Sequence, residues 1–165
     1  MAETEKSELS FRLAVREDCA AILAALKLLA QSIGVSERCE STLQDLEIHG
    51  FGDKPQFTVM LAETDGKMAG MCLYFPMFST WLGKPGLYIQ DIYVHEAYRN
   101  AKIGEKLLRH VSRIGREEGY AYLRLTVDEG NEGGARFYSN HGFIRSDDEY
   151  IYKLIGPAFD AFCDA

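Results

Sequence analysis

The spacing of apolar residues divides the first third of the chain into one strand and two helices. The segment "LSFRLAV" at residues 9–15 alternates as a strand does, and the segment "DCAAILAALKLLAQ" that follows has helical spacing. Asp18 is the predicted N-cap of the first helix. A second helix is predicted between a capping box of Ser41 and Gln44 and a terminating Gly50. The predicted buried face of the first helix consists of Ile22, Ala25, Leu26 and Leu29.

The middle of the chain predicts a hairpin, a further strand and an amphipathic helix. "QFTVMLAE" and "MAGMCLYFPMF" flank the turn residues "TDGK", as in a β-hairpin. Because Pro76 has no N–H, the second of these strands is predicted to end or bulge there. "GLYIQDIYV" is the predicted fourth strand, and a helix is predicted at about 104–118. Its apolar face is formed by Leu107, Leu108, Val111 and Ile114.

The last third predicts a fifth strand, "AYLRLTV", a short helix within "GGARFYSNHGF" that ends at Gly142, and a late strand, "EYIYKLI". The order β-α-α-β-β-β-α-β-α-β contains an antiparallel run that leads into one central βαβ unit. It predicts an α/β (α+β) fold with a mixed, mostly antiparallel sheet and helices on both faces. Paired parallel strands of this kind place a ligand at their carboxyl ends.

Length and composition predict one domain over residues 1–165, with residues 1–8 as a flexible leader. No apolar run reaches the length of a membrane span, and the polar N-terminus lacks the layout of a signal peptide. The net charge of −7 argues against a nucleic-acid partner, and it means that an anionic ligand needs a local basic patch.

Cysteine and histidine residues give no metal-site pattern. The cysteines lack close spacing and are predicted to be small buried hydrophobes, as is typical of a reducing cytoplasm. The histidines have no partner at metal-ligand spacing, so no metal is expected. These residues are Cys19, Cys39, Cys72, Cys163, His49, His95, His110 and His141.

The segment "YRNAKIG" at residues 98–104 joins the fourth strand to the amphipathic helix. The first amides of a helix lack intrahelical acceptors and lie at its positive dipole end, so a diphosphate can accept several hydrogen bonds there. Arg99 can add a charge-assisted bond, and Lys102, Lys106 and Arg109 follow nearby. Basic residues beside a helix start are also common on solvated surfaces, and the position within the βαβ unit favours the phosphate interpretation.

Two ordered motifs resemble those of the GNAT superfamily of N-acetyltransferases. Arg99-x-x-Lys102-x-Gly104 is similar to the Arg/Gln-x-x-Gly-x-Gly/Ala loop of that family, and "VDEGNEGGARFYSNHGF" is similar to its second signature. "RLAVREDCAAILAALKLLA", "HGFGDKPQF", "WLGK" and "YIQDIYVHEAYR" resemble the diamine (spermidine/spermine) N-acetyltransferase branch. The resemblance implies the GNAT-type acyl-CoA N-acyltransferase fold and acetyl transfer from acetyl-CoA to an amine.

The resemblance also implies which residues hold acetyl-CoA. Loop amides would bind its pyrophosphate, and the fourth-strand backbone together with Asn131 would bind the pantetheine arm. Lys102 stands where the family has glycine, and we expect an ordinary helical N-terminus there, from which the lysine adds a cation. The implied residues are Ile92, Tyr93, Val94, Arg99, Asn100, Ala101, Lys102, Ile103, Gly104, Glu105, Asn131 and Tyr138.

Tyr138 is the expected catalytic residue. A phenol stays protonated at neutral pH and can donate a proton to a leaving thiolate. The resemblance places the matching tyrosine beside the coenzyme sulfur as general acid. A half-buried structural tyrosine is the alternative interpretation.

The general base stays open at this point. Gln90 stands where the diamine branch has glutamate, and an amide cannot accept the proton. Asp91 faces the opposite side of a regular strand, which a bulge would change, and a water path to Glu129 or Asp128, or to bulk solvent, is equally consistent. Trp81 can pack over a cation or an amine stem. The expected substrate-binding residues are Trp81, Gln90, Asp91 and Glu129.

The leading hypothesis is direct transfer of acetyl to a small primary amine, either a polyamine or diamine or a lysine-like amine. The alternatives are a protein or peptide N-acetyltransferase and a non-catalytic acyl-CoA-binding sensor. Gln90 and Lys102 favour the sensor, whereas Tyr138 and Asn131 argue against it. A cytoplasmic homodimer without a membrane partner is expected, and the aromatic residues at 159 and 162 are available for packing.

Overall fold

A computed structural model describes residues 8–164, which divide into two compact units. One unit ends at Gly130 and the other begins at Asn131. Apart from Glu8, the expected leader lies outside the described residues. The single domain over 1–165 stays a prediction.

The first unit contains a five-stranded sheet in the order β1-β2-β3-β4-β5. The first four strands pair antiparallel, and β5 pairs parallel to β4 across the helix α3. This confirms the mixed, mostly antiparallel sheet with one βαβ unit. Its elements are β1 (Leu9–Leu13), α1 (Cys19–Ser32), α2 (Leu43–Phe51), β2 (Thr58–Thr64), β3 (Lys67–Ser79), β4 (Lys84–Val94), α3 (Ile103–Glu117) and β5 (Leu123–Leu125). The second unit contains α4 (Glu132–Asn140) and α5 (Pro157–Cys163).

The helices of the first unit cover both faces of the sheet, as expected. On one face, side chains of α1 and α2 pack with β-strand residues such as Met71 and Leu73 in one buried cluster. On the other face, Gly70 adjoins α3: a Cβ at this glycine would lie 3.2 Å from Cγ2 of Ile103 and 3.3 Å from Cδ1 of Leu107. The apolar stripe of α3 is therefore buried against the sheet.

The strand β3 runs through Pro76, so the predicted end or bulge at this residue is wrong. Pro76 lies opposite Leu87 of β4, and the Leu87 N–H points away from β3, to the carbonyl of Tyr122 at 2.9 Å. In an antiparallel pair, opposed residues point their backbone groups the same way relative to the ladder, so the Pro76 nitrogen also faces away from β4. Since β2 pairs with β3 only as far as Tyr74, no ladder bond is lost.

The N-termini of α1 and α2 differ in detail from the prediction. Asp18 precedes α1 but makes no cap bond, because its carboxylate accepts from the Val15 N–H at 2.8 Å and from Arg12. The capping box of α2 is formed by Thr42 and Asp45, one residue beyond the predicted pair. Gly50 is buried inside α2, which ends at Phe51.

The predicted late strand at 149–155 is wrong, because this segment forms no strand in the second unit. Its alternation has no ladder within the described residues, and Tyr152 is 92% exposed. The predicted short helix is present as α4, and Gly142 follows it with φ of 84°. Cys163 is exposed, so only Cys19 and Cys72 are fully buried as predicted.

Candidate active site

The edge of β4 opens where its partner β5 ends. The parallel ladder joins only three residue pairs, from Leu87 with Leu123 to Ile89 with Leu125. On its other side β4 stays paired with β3 as far as Val94. Within the described part of the first unit, the backbone of β4 beyond Ile89 therefore has one edge without a strand partner.

Alternation along β4 decides which backbone groups reach this open edge. His95 donates its N–H to the Ala69 carbonyl of β3 at 2.9 Å. Since the direction of backbone groups alternates along a strand, Tyr93 also points toward β3, whereas Ile92 and Val94 point toward the open edge. Of the three residues expected to bind pantetheine through the backbone, Ile92 and Val94 thus present their groups to a ligand.

The loop between β4 and α3 contains two non-glycine residues in the left-handed region. Asn100 has φ of 73°, and Lys102, the N-cap of α3, has φ of 56°. The expectation of an ordinary helical N-terminus at Lys102 is therefore wrong. A lysine in this region costs about 1–2 kcal/mol, which explains why the similar loops carry glycine at this position.

The first amides of α3 lack acceptors from their own chain. Lys102 makes no side-chain cap, and within the described residues the N–H groups of Ile103 and Gly104 have no acceptor. Arg99, Asn100, Ala101 and Lys102 are all exposed around them. Glu105, in the first turn, forms an ion pair with Arg109 at 2.8 Å, which neutralises a carboxylate that would otherwise repel an anion. The loop is therefore able to bind a phosphate group.

A β-bulge lies at the point where β4 and β5 separate. Tyr74 is opposite Ile89 and Leu73 is opposite Asp91, so Gln90 is the extra residue. Gln90 is exposed, whereas Asp91 is partly buried. Because Asp91 lies opposite Leu73, its side chain is on the sheet face that packs against α1 and α2.

The Asp91 carboxyl group has an unusual environment. Within residues 8–164 its side chain makes no hydrogen bond or ion pair, and burial raises its pKa to about 6. Neighbouring titratable groups remain neutral, because burial also raises the pKa of the Tyr93 phenol and raises that of the Cys72 thiol to about 12. Such a carboxyl group can exchange a proton near neutral pH. The signal in the sequence for this burial is a charged residue within the largely apolar strand "GLYIQDIYV".

The other expected substrate residues of the first unit lie elsewhere. Trp81 is in the turn joining β3 and β4, is 97% exposed, and lies at the opposite end of β4 from Asp91. Glu129 is exposed in the segment after β5. Asp128, the alternative acidic group, forms an exposed ion pair with Arg38 at 3.7 Å. The first unit therefore brings Gln90 and Asp91 together but separates them from Trp81.

The second unit holds Tyr138 and Asn131 on one short helix. The Asn131 side chain accepts the Gly134 N–H at 2.9 Å and so caps α4. The Tyr138 ring packs edge-on against Phe137 and Phe143, with centroids 5.2 and 5.3 Å away. Aromatic contacts on both sides fix the direction of the phenol relative to α4.

No group of three or more potential metal ligands occurs among the described residues. Over the same residues, no helix has both the length and the apolar character needed to cross a membrane.

Residues 23–143 match the acetyltransferase (GNAT) family. The chain is 32% identical over 133 residues to thialysine N-epsilon-acetyltransferase of Sus scrofa, covering 76% of this chain and 78% of that protein. It is 30% identical over 161 residues to spermidine/spermine N(1)-acetyltransferase-like protein 1 of Homo sapiens, covering 93% of this chain but only 23% of that longer protein. A solved aminoglycoside N-acetyltransferase in complex with CoA shares the fold, with a TM-score of 0.72, 16% identity, and coverage of 92% of this chain and 98% of that one. The chain belongs to the GNAT family of acetyltransferases and is an acetyl-transferring enzyme.

Proposed function

We propose that this enzyme transfers an acetyl group from acetyl-CoA to a primary amine of a small molecule, either a polyamine or diamine or a lysine-like amine. One observation carries the proposal: the open backbone edge of β4 is followed, after the loop at residues 95–102, by the uncapped N-terminus of α3. The edge offers hydrogen bonds to an extended amide-containing arm, and the helix start offers them to a diphosphate. CoA contains both groups, because its amide-containing pantetheine arm is joined to a diphosphate.

The residues present fit CoA as the acyl carrier. The amides of Ile103 and Gly104 would hold the pyrophosphate, with Arg99 and Lys102 as cations beside it. The backbone groups of Ile92 would bind the pantetheine arm. The thioester of acetyl-CoA supplies an acetyl group activated toward amines.

The acceptor class follows from two supports. The Sus scrofa relative is named for acetylation of thialysine, and the Homo sapiens relative is named as similar to a spermidine/spermine acetyltransferase; all of these molecules carry aliphatic amines. The partly buried Asp91 offers one negative charge beside the open edge of β4, and an aliphatic ammonium is the matching cation. One anionic group suits a single ammonium, and a long dication needs a second.

Tyr138 is the proposed general acid. Its phenol would protonate the sulfur as the thioester bond breaks, so that a neutral thiol leaves. Asn131 would contact the pantetheine arm through its amide nitrogen, because its oxygen already caps α4.

Thiol release from acetyl-CoA tests the proposal on a panel of diamines, polyamines, thialysine, ornithine and lysine-containing peptides. We expect turnover with small amines and little with peptides. Turnover only with peptides would favour a peptide N-acetyltransferase. CoA binding in calorimetry without thiol release from any acceptor would favour the sensor, and either result would overturn the proposal.

The role of Tyr138 is tested by Tyr138→Phe, with Tyr152→Phe as a matched control at an exposed phenol. We expect Tyr138→Phe to lower kcat by about 100- to 10,000-fold, since proton donation by one positioned group is worth about this much. CoA affinity should stay within a few-fold of that of the unaltered enzyme. An unchanged kcat would remove Tyr138 from the reaction.

A cytoplasmic homodimer stays a prediction.

A further inference from the structure

The bulge in β4 places an acidic group one residue beyond the position where the similar branch carries its glutamate. Gln90 is the extra residue of the bulge and cannot accept a proton. Asp91 follows it, opposite Leu73 and two residues beyond Ile89, the last residue of β4 that pairs with β5. Gln90 can therefore only orient the amine, and Asp91 is the neighbouring residue that can accept its proton.

We propose that Asp91 is the general base of this enzyme and takes the proton from the ammonium group of the acceptor. This inference rests on the proposed function and assigns the proton acceptor that the sequence left open. Three observations carry it: the bulge, the partial burial of Asp91 on the face covered by α1 and α2, and the absence of any side-chain partner within residues 8–164.

The competing acceptors fit less well. Asp128 is paired with Arg38, and Glu129 is an exposed residue beyond the end of β5. Gln90 can orient the amine through its carbonyl oxygen but does not titrate. Asp91 alone among these side chains combines a carboxylate, partial burial and a place on β4 beside its open edge.

The environment of Asp91 suits proton transfer near neutral pH. No charged side chain of β3, α1 or α2 accounts for its raised pKa of about 6, since burial is the cause. The titratable side chains on the same face are the Tyr93 phenol of β4 and the Cys19 thiol of α1, and burial raises the pKa of both, so both stay neutral. Cys72 is opposite Ile92 and lies on the other face. An arriving ammonium would be the first cation in contact with this carboxylate, and it would favour the charged form until the proton moves.

Each bond formed in the proposed step is matched by a bond broken. One ammonium proton moves to an Asp91 carboxylate oxygen, and the freed nitrogen lone pair forms the C–N bond to the acetyl carbonyl carbon. The C–S bond breaks with its electron pair on sulfur, which receives a proton by way of Tyr138. Asp91 releases its proton to solvent, the amine nitrogen loses its second proton to solvent as well, and Tyr138 regains a proton from solvent. The sum converts ammonium and thioester into amide, thiol and one proton.

The test compares Asp91→Asn with Asp53→Asn, a matched change at an exposed aspartate after α2. We expect Asp91→Asn to lower kcat/KM at pH 7 by about 100- to 10,000-fold. The pH profile should also change. The variant should gain about tenfold per pH unit up to the amine pKa, near 10, because only the pre-existing neutral amine can react. The unaltered enzyme should instead lose activity below about pH 6.

A second readout needs no turnover. In carbon-13 NMR of the labelled protein, one aspartate carboxyl should titrate near pH 6, and that signal should be missing from Asp91→Asn. CoA affinity in calorimetry should be equal in both variants. Loss of activity with an unchanged pH profile, or an Asp91 carboxyl that titrates near pH 4, would overturn the assignment.

The two proposals fail separately. An enzyme that binds CoA but acetylates no amine would overturn the proposed function and the base with it. An enzyme that acetylates small amines at an unchanged rate after Asp91→Asn would keep the function and overturn only the role of Asp91.

Discussion

The helices α2 and α3 begin in the same unit but satisfy their first amides in opposite ways. At α2 the Thr42 hydroxyl accepts the Asp45 N–H at 3.2 Å, and the Asp45 carboxylate accepts the Thr42 N–H at 2.8 Å. At α3 the N-cap is Lys102, a donor in the left-handed region that makes no cap. Side chains of the chain itself cap the N-terminus of α2, whereas no side chain caps the N-terminus of α3.

The difference teaches how a helix start becomes a binding site. The first amides of both helices lack acceptors within the helix itself, and both helices have the same positive dipole end. At α2 a hydroxyl and a carboxylate of the chain itself interact with this positive end, which stabilises the helix. At α3 the charged side chains at residues 98–102 are the cations Arg99 and Lys102, and the carboxylate of Glu105 is paired with Arg109, so the potential remains available to an external anion.

The largest expected effect comes from making α3 resemble α2. Lys102→Asp removes a cation and places a carboxylate beside the amides that would hold the diphosphate. We expect CoA affinity to fall about 100-fold, or about 2.7 kcal/mol, with little change in stability. Isothermal titration with CoA measures the change. Lys54→Asp, the same charge reversal after α2, is the control, and equal affinities of the two variants would contradict the assignment of the anion site.

A medium effect is expected from opening α2. Thr42→Ala should lower the free energy of unfolding by about 1 kcal/mol through loss of the cap, and CoA affinity should not change. Urea unfolding of Thr42→Ala and of Ser41→Ala measures this, because Ser41 is the neighbouring residue that the sequence favoured as the cap. A larger loss in Ser41→Ala would contradict the observed capping box.

The same variant carries a pH dependence. Hydrogen bonds from Thr42 lower the pKa of Asp45 below its ordinary 3.8. A lowered folded-state pKa stabilises the protein above the ordinary value, and this contribution is lost as pH falls through the folded-state value. The stability difference between the unaltered protein and Thr42→Ala should therefore be full at pH 7 and shrink below about pH 4.

The smallest effect concerns backbone strain at α3. Lys102→Gly relieves the left-handed lysine but adds freedom to the unfolded chain, so we expect a net gain of about 0.5 kcal/mol in unfolding free energy. CoA affinity should fall a few-fold with the lost cation. Asn100→Gly is the control, since asparagine tolerates this region and should gain less. Tighter CoA binding by Lys102→Gly would show that the lysine hinders the phosphate.

The sequence predicted the elements whose signals are local and periodic. The 3.6-residue stripe of α3 and the Asp65-Gly66 turn of the β2–β3 hairpin were read correctly, because each depends on residues close in sequence. The prediction of a late strand is wrong because strand formation depends on residues that are distant in sequence. Residues 149–155 alternate as a strand would, but a strand forms only where a pairing partner is available, and that partner is distant in sequence.

The candidate site shows the same division. The loop proposed to bind phosphate could be proposed from sequence because its residues are consecutive, whereas the left-handed state of Lys102 was not predicted because lysine is rarely found there. The bulge at Gln90 and the burial of Asp91 depend on register between β3 and β4, which a single strand does not reveal. Consecutive residues were therefore enough to propose the anion site, whereas the proposed proton acceptor could be assigned only from the register of the strands.

The outward nitrogen of Pro76 has a consequence for solubility. Beyond Tyr74 the long β3–β4 hairpin has no β2 neighbour, and such an exposed edge can recruit a strand from another molecule. A proline in this row removes one donor and sets a bulky ring in its place, so an incoming chain cannot complete its ladder. Pro76 therefore disfavours edge-to-edge aggregation of the β3–β4 hairpin without removing a hydrogen bond between β3 and β4.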